Sequence, residues 1–232
     1  MIEDHSSDSL PRRPVRVWDL PVRLFHWLIV ALIALSFVTG HIGGNAMRIH
    51  ELSGFSILTL VLFRVLWGFF GSTHARFGNF VRGLAAARSY AAVLWAGRSA
   101  AYTGHNPIGG WMVLALLLCL LTQACTGLFA NDDIMIEGPL MKYVSKETSD
   151  RISAIHEINS YVLAVLVTLH IAAALYYLWR KRENLIWPMF TGRKSVTDET
   201  VQDYRGGPIW LAAALLAFCA ALVWFVVTKI GS

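Results

Sequence analysis

Four histidines lie near the ends of long apolar segments, and two of them share one segment. His156 and His170 stand fourteen residues apart in the stretch IHEINSYVLAVLVTLHIAA. Fourteen residues make just under four turns of about 3.6 residues, so both imidazoles leave the same face of a helix, roughly 21 Å apart along its axis. The spacing therefore predicts one imidazole near each surface of a bilayer.

His26 and His50 begin two earlier apolar segments, in RLFHW and RIHELSGF. Because consecutive membrane helices alternate in direction, His26 is expected at the depth of His170. By the same reasoning, His50 is expected at the depth of His156. Two opposed imidazoles are the axial ligands of a six-coordinate haem iron. We therefore predict two iron sites, the inner one bound by His26 and His170 and the outer one by His50 and His156.

Arg64, Gly40 and Gly54 fall on the same helix faces as these histidines. Arg64 is fourteen residues after His50, and a guanidinium inside a span needs a partner charge, such as a haem propionate. The alternative is that Arg64 reaches the headgroups. Gly40 and Gly54 can leave space for a flat macrocycle, or they can serve ordinary close packing of helices. The sequence leaves both alternatives open.

Other histidines compete less well for the iron. His41 is fifteen residues after His26 and is the rival of His50 as outer ligand. His5, His74 and His105 lie in the tail or in loops, where exposed, solvated rings are expected. No CxxCH sequence occurs, so the haem is expected to be haem b, bound without a covalent link.

The elements that position these residues must be membrane helices, because 56% of the 232 residues are hydrophobic and the mean hydropathy is +0.52. A hydrocarbon core of about 30 Å needs about 20 apolar residues. Five segments qualify, namely 20–40, 50–71, 108–130, 152–179 and 209–228. We predict an all-α integral membrane protein with a four-helix haem-binding core and a fifth transmembrane helix. Its predicted divisions are a tail (1–19), the core (20–183), a loop (184–207), and the fifth helix with a short C-terminus (208–232).

Basic residues are unevenly distributed over the connecting segments. Lys and Arg concentrate in the tail and in the second and fourth loops, whereas residues 131–151 hold five acids against three bases. The positive-inside rule then predicts a cytoplasmic N-terminus and, with five spans, a C-terminus on the other side of the membrane. The first span is expected to be a retained helix rather than a signal peptide. This distribution accounts for the net charge of +5 without a nucleic-acid partner.

Several motifs of the chain resemble those of a known family. They are VWDLPVRLFHW, HELSGFSILTLVLFRVLWGFFGSTHARF, GHNPIGGWMVLALLLCLLTQACTGLF, and IHEINSYVLAVLVTLHIAA followed by RKRENLIWPMFTGRK. The chain resembles the bacterial cytochrome b561 and nickel-iron hydrogenase b-type cytochrome subunit family over residues 15–195. The resemblance implies a four-helix core holding two b haems, with electrons passing between a redox partner and the quinone pool. It places the ligands at the four histidines already derived from spacing, and Arg64 in an RxxWG motif.

The expected function is electron transfer between quinone and a periplasmic c-type cytochrome or hydrogenase-like redox subunit. A haem with both axial positions filled favours outer-sphere chemistry, and no catalytic residue is predicted. One alternative is a superoxide:quinone oxidoreductase, with an anion gathered by Arg48, Lys142, Lys146 and Arg151. Another alternative is a haem-free membrane anchor or transporter. The remaining expected contacts are membrane lipid and a second copy of the chain.

Overall fold

The computed structural model describes residues 13–97, 102–132, 136–196 and 204–231. The helices in this part of the chain are α1 (Leu20–Ile42), α2 (Met47–Phe70), α3 (Phe77–Phe80), α4 (Leu84–Trp95), α5 (Pro107–Gly127), α6 (Lys146–Arg180), α7 (Trp187–Thr191) and α8 (Ile209–Phe225). The helices α1, α2, α5, α6 and α8 are long and apolar enough to cross a membrane. The predicted all-α membrane fold with five spans is confirmed.

Polar caps set where the long helices begin. The Asp19 side chain accepts a hydrogen bond of 2.7 Å from the Val22 amide at the start of α1, and Asn106 caps α5 in the same way. Ser145 caps α6, so that this helix begins six residues before the predicted span at 152. The difference arises because hydropathy marks only the apolar part of a helix, whereas a cap marks its first turn.

Four of the long helices form a bundle with one shared core. The helices α1, α2, α5 and α6 contribute the buried residues of this core, namely Ile29, Ile57, Leu60, Val61, Leu117, Cys119, Leu120 and Leu163. The fifth long helix, α8, packs on α2 outside this core through Ala212 and Cys219. Many apolar side chains stay exposed on the outer faces, among them Leu118 and Val165. Lipid covers such surfaces, as expected for a multi-pass membrane protein.

A two-stranded antiparallel sheet closes one end of the bundle. Strand β1 (Arg13–Arg16) pairs with β2 (Arg193–Val196), in a register that sets Arg13 opposite Val196. The pairing continues past the strand, because the Val17 amide donates to the Gly192 carbonyl at 2.8 Å. The tail before α1 was expected to be only a polar segment. In the structure its described part is fixed to the chain that follows α7.

Candidate functional site

The structure brings the four predicted histidines together as two facing pairs. His26 on α1 faces His170 on α6, with ring centroids 6.3 Å apart and an interplanar angle of 54°. His50 on α2 faces His156 on α6, with centroids 6.2 Å apart and an angle of 76°. Helix α6 therefore contributes one ring to each pair, while α1 and α2 contribute one ring each.

The separation of the rings fits a single metal atom between each pair. A metal–imidazole bond is about 2 Å and the ring centre lies about 1.1 Å behind the nitrogen, so two imidazoles on one metal have centroids about 6.2 Å apart. A bare ion would also need side-chain ligands besides these two. Among the described residues, no group of three or more His, Cys, Asp or Glu side chains could supply them. A haem fits, because its porphyrin provides the other four nitrogens.

The outer rings are held through one nitrogen each. His50 Nδ1 lies 2.9 Å from the Ser36 carbonyl oxygen. His156 Nδ1 lies 3.0 Å from the Gln123 carbonyl oxygen and 3.0 Å from Thr126 Oγ1. A ring that donates its Nδ1 hydrogen to a carbonyl presents Nε2 as the metal-binding nitrogen. These contacts fix the orientation of both outer imidazoles and leave their Nε2 atoms available to a metal.

A side-chain network ties α5 to α6 beside this pair. The Asn159 amide donates to Gln123 Oε1 at 2.6 Å and to the Cys119 carbonyl oxygen at 3.0 Å. The backbone carbonyl oxygen of the same Gln123 contacts His156 Nδ1, so the network and the ring meet at one residue of α5. Polar contacts between helices of this kind stabilise a membrane bundle by about 0.6 kcal/mol on average.

A cavity of about 670 Å³ lies beside the outer pair and is lined by both rings, Gly40 and Gly54. Its volume suits a cofactor. A Cβ added to Gly40 would lie 3.0 Å from His50 Nδ1, whereas one added to Gly54 would meet nothing within 4 Å. Gly40 therefore allows the His50 ring to pack closely, and Gly54 leaves open space. Gly127, which the sequence did not single out, packs against the His156 ring in the way that Gly40 packs against His50.

His41 is not brought into either pair. Its ring is stacked on Phe37, with centroids 5.7 Å apart, and its Nδ1 contacts the Phe37 carbonyl oxygen of the same helix at 2.8 Å. The side chain is exposed. The structure places His50, the rival candidate, opposite His156.

Arg64 is buried rather than extended to the headgroups. Only 3% of the residue is exposed, and its guanidinium lies over the Phe77 ring at 5.4 Å. Its buried Nη1 has no hydrogen-bond acceptor. Asp19 is near enough to interact electrostatically with it, but the two carboxylate oxygens accept from the Val22 amide and from Trp67 Nε1. An acceptor brought by a bound group fits this unsatisfied nitrogen.

The expectation that His74 and His105 are exposed was wrong. His74 is 4% exposed, and His105 lies between Trp18 and Phe80, with ring centroids 4.7 and 4.6 Å away. Burial lowers the pKa of His74, and burial with nearby Arg64 lowers the pKa of His105 to about 3. No local pattern marks these residues, because their aromatic neighbours come from distant segments. His5 lies outside the described residues.

Known proteins are similar to this chain over the part that contains both histidine pairs. The sequence profile of a family described as prokaryotic cytochrome b561 matches residues 17–192. A probable Ni/Fe-hydrogenase B-type cytochrome subunit of Rhizobium leguminosarum bv. viciae is 26% identical over 237 residues, covering 84% of this chain and 94% of that protein. The similarly named protein of Rhodobacter capsulatus is 23% identical, covering 84% and 87%. A probable Ni/Fe-hydrogenase 1 B-type cytochrome subunit of Escherichia coli (strain K12) is 24% identical, covering 77% and 90%. The matched range contains all four paired histidines and Arg64.

Proposed function

Because this chain belongs to the prokaryotic cytochrome b561 family, we propose that it is a two-haem subunit that carries electrons between quinone and a redox protein outside the membrane. Membership of the family makes it a b-type cytochrome, a membrane electron carrier with haem b. The finer proposal depends on one observation. Two imidazole pairs, at two depths, have the ring separation that a single metal atom requires.

Each side chain has a defined role in this proposal. His26 and His170 bind the inner iron, His50 and His156 bind the outer iron, Arg64 receives a haem carboxylate, and Gly40 and Gly54 give space to the outer ring system. When bound, haem b would supply one-electron, outer-sphere transfer. With both histidines of a pair on its iron, the protein would leave no position there for oxygen or substrate.

The outer ring contacts also set the properties of the ligands. A hydrogen bond from Nδ1 to a carbonyl raises the basicity of the opposite nitrogen and fixes the ring orientation. Ser36 supplies this carbonyl for His50, and Gln123 supplies it for His156. On α6 the two ligands lie about 21 Å apart along the helix axis. The four paired histidines would thus hold two haems near opposite membrane surfaces.

The partner outside the membrane is proposed to be a hydrogenase-like redox subunit. The names of the relatives support this choice, since they describe b-type cytochrome subunits of Ni/Fe hydrogenases. A periplasmic c-type cytochrome is the alternative partner. Quinone is the redox partner that the membrane itself provides. We propose that the protein lies in a bacterial inner membrane with its N-terminus in the cytoplasm.

The superoxide alternative gains no support from the charges near the outer pair. Lys146 is paired with Asp150, and Arg151 with Glu147 at 2.6 Å. Two of the four bases expected to gather an anion are therefore neutralised by acids one turn away. Carboxylates, Glu51 among them, also line the outer cavity and would repel superoxide.

The test is a haem count combined with a reduced-minus-oxidised spectrum of the purified protein. We expect two haem b per chain, both low-spin, and reoxidation of the reduced protein by a soluble quinone analogue. One haem per chain would contradict the two-site proposal. A colourless protein would leave the anchor or transporter alternative.

A further inference from the structure

A buried cluster of basic side chains lies at the end of the bundle where α1 begins, near the inner histidine pair. We call it the loop pocket and define it by Arg64, His74 and His105 with the aromatic residues Trp18, Phe77 and Phe80. The two histidines come from the chain between α2 and α5. Arg64 comes from α2 and Trp18 from the turn before α1. None of the histidine-pair contacts described above uses these side chains.

Aromatic rings connect the basic groups of the loop pocket. Trp18 contacts the His105 ring at 4.7 Å and the His74 ring at 6.4 Å, measured between centroids. Phe80 contacts both His105, at 4.6 Å, and Phe77, at 5.7 Å. Phe77 in turn lies under the Arg64 guanidinium. Both Arg64 and His74 are close enough to His105 to act on it electrostatically.

Each basic side chain of the loop pocket has a buried nitrogen without a hydrogen-bond partner. These nitrogens are Arg64 Nη1, His74 Nε2 and His105 Nδ1. Arg64 and His74 are 3% and 4% exposed. A buried guanidinium without a direct charge partner is unfavourable, and a buried polar nitrogen without a hydrogen-bond partner is unfavourable as well. Three such nitrogens in one pocket therefore point to a missing anionic group with several acceptor atoms.

Among the described residues, no carboxylate bonds to any of these three nitrogens. Asp19 is the acid whose charge acts on Arg64, and both of its oxygens already accept hydrogen bonds. The cluster also lies near the inner pair, because Trp18 directly precedes the Asp19 cap of α1 and His26 follows about two turns further along that helix. A haem bound at that pair brings two carboxylates on flexible arms. A free anion would instead have to reach side chains that are almost fully enclosed.

From this geometry, and resting on the proposed function, we infer that the loop pocket is the receptor for the carboxylates of the inner haem. His74 and His105 extend the role proposed for Arg64, so that the loop between α2 and α5 fixes one edge of the haem. The guanidinium supplies the charge, and the two imidazoles supply further donors. They are positioning residues, since the iron ligands are other histidines.

The test replaces His105 by Phe, which keeps a ring between Trp18 and Phe80 but removes both nitrogens. The protein is loaded with haem carrying ¹³C in its propionate carboxylates, and redox-induced infrared difference spectra are recorded. In His105→Phe we expect the carboxylate bands of one haem to shift and the midpoint potential of one haem to fall. The potential falls because a carboxylate that loses a donor is less neutralised, and its negative charge then favours the ferric over the ferrous state. His41→Phe, an equivalent change at an exposed ring, should alter neither readout.

Unchanged carboxylate bands in a His105→Phe protein that keeps two haems would overturn this inference and leave the proposed function intact. A haem count of zero in the unaltered protein would instead remove the proposed function. If His105→Phe does not load, the unaltered protein decides the matter with haem whose carboxylates are esterified. We expect at least tenfold weaker binding at one of the two sites. Equal binding of esterified and native haem at both sites would overturn the inference.

Discussion

At the scale of single residues, each outer histidine holds its Nδ1 against the protein and leaves its Nε2 to the proposed iron. His156 Nδ1 is held by Gln123 and Thr126, and His50 Nδ1 is held by Ser36. This arrangement was predictable in part. The fourteen-residue spacing follows from helix geometry, which is local, but the carbonyl partners depend on which helices are neighbours.

Replacing His50 by Ala should remove one haem per chain, because His156 alone cannot fill both axial positions of the outer iron. Replacing His41 by Ala is the matched control and should leave two, since the His41 ring stacks on its own helix. The measurement is the haem-to-protein ratio by pyridine haemochrome. Two haems in His50→Ala and one in His41→Ala would show that the ligand assignment is reversed.

A side chain at Gly40 should displace the outer ring. A Cβ there would lie 3.0 Å from His50 Nδ1, so Gly40→Val is expected to force the imidazole away from His156. We expect the outer haem to be lost or to become high-spin, while the inner haem remains low-spin. Electron paramagnetic resonance separates the two states. Gly78→Val is the control, because a Cβ at Gly78 meets nothing within 4 Å.

The residues that sequence reasoning missed are those whose surroundings come from several segments. His105 stands in a polar stretch, YTGHNP, that has the composition of an exposed loop. Its burial depends on Trp18 and Phe80, which are 87 and 25 residues away in the chain. No periodicity reports such a contact. The unsatisfied ring nitrogen is visible only in three dimensions.

At the scale of elements, the short helix α7 and strand β2 anchor the start of α1. Trp27 Nε1 donates to the Met189 carbonyl at 3.2 Å, and the Trp27 ring stacks on Phe190 at 4.3 Å. The Arg23 guanidinium also donates to the Phe190 carbonyl. These contacts surround the turn of α1 that carries His26. A two-stranded sheet between residues 13–16 and 193–196 was not predictable, because nothing local specifies pairing over so long a separation.

Gly192 is the residue that joins α7 to β2, and Gly192→Ala should destabilise the protein. Its φ of 77° favours glycine, and an added Cβ would lie 2.7 Å from the Trp18 carbonyl oxygen. Gly97→Ala is the control, since Gly97 has the same φ but nothing within 4 Å. Left-handed backbone costs either alanine roughly 1–2 kcal/mol. We expect Gly192→Ala to lower the free energy of unfolding by more than Gly97→Ala does.

Thermal unfolding in detergent, followed by haem absorbance, measures the difference between these two variants. If the two variants lose equal stability, the close approach of the added Cβ to Trp18 costs nothing beyond the backbone strain. A larger loss in Gly97→Ala would contradict the proposed role of the α7 anchor.

At the scale of the whole molecule, five helices are long and apolar enough to cross a membrane, and the proposed orientation puts residues 13 and 231 on opposite sides of it. The number of spans was predictable because long apolar segments are a composition signal that needs no tertiary contact. The position of α8 outside the four-helix core was less predictable from the sequence. It depends on Ala212 and Cys219 fitting against Phe63 and Trp67 of α2, which hydropathy does not report.

Reporter fusions test the proposed orientation. Alkaline phosphatase fused after Gly231 should be active, because it folds only outside the cytoplasm, whereas a fusion after Val196 should be inactive. The positive-inside rule predicts that the basic residues near β2 keep the fusion point after Val196 in the cytoplasm. The reverse pattern of activities would show that the membrane orientation is inverted. The His26–His170 pair would then lie on the side of the membrane away from the cytoplasm.

The unbroken course of α6 has a consequence for how the two proposed iron centres respond to their surroundings. This helix runs through 35 residues and carries one imidazole of each pair on a single face. If a docked protein twisted this rod about its long axis, both rings would swing through the same angle. A disturbance at either end would thus reach both centres together, and the mechanical linkage between them would need no relay of intervening side chains.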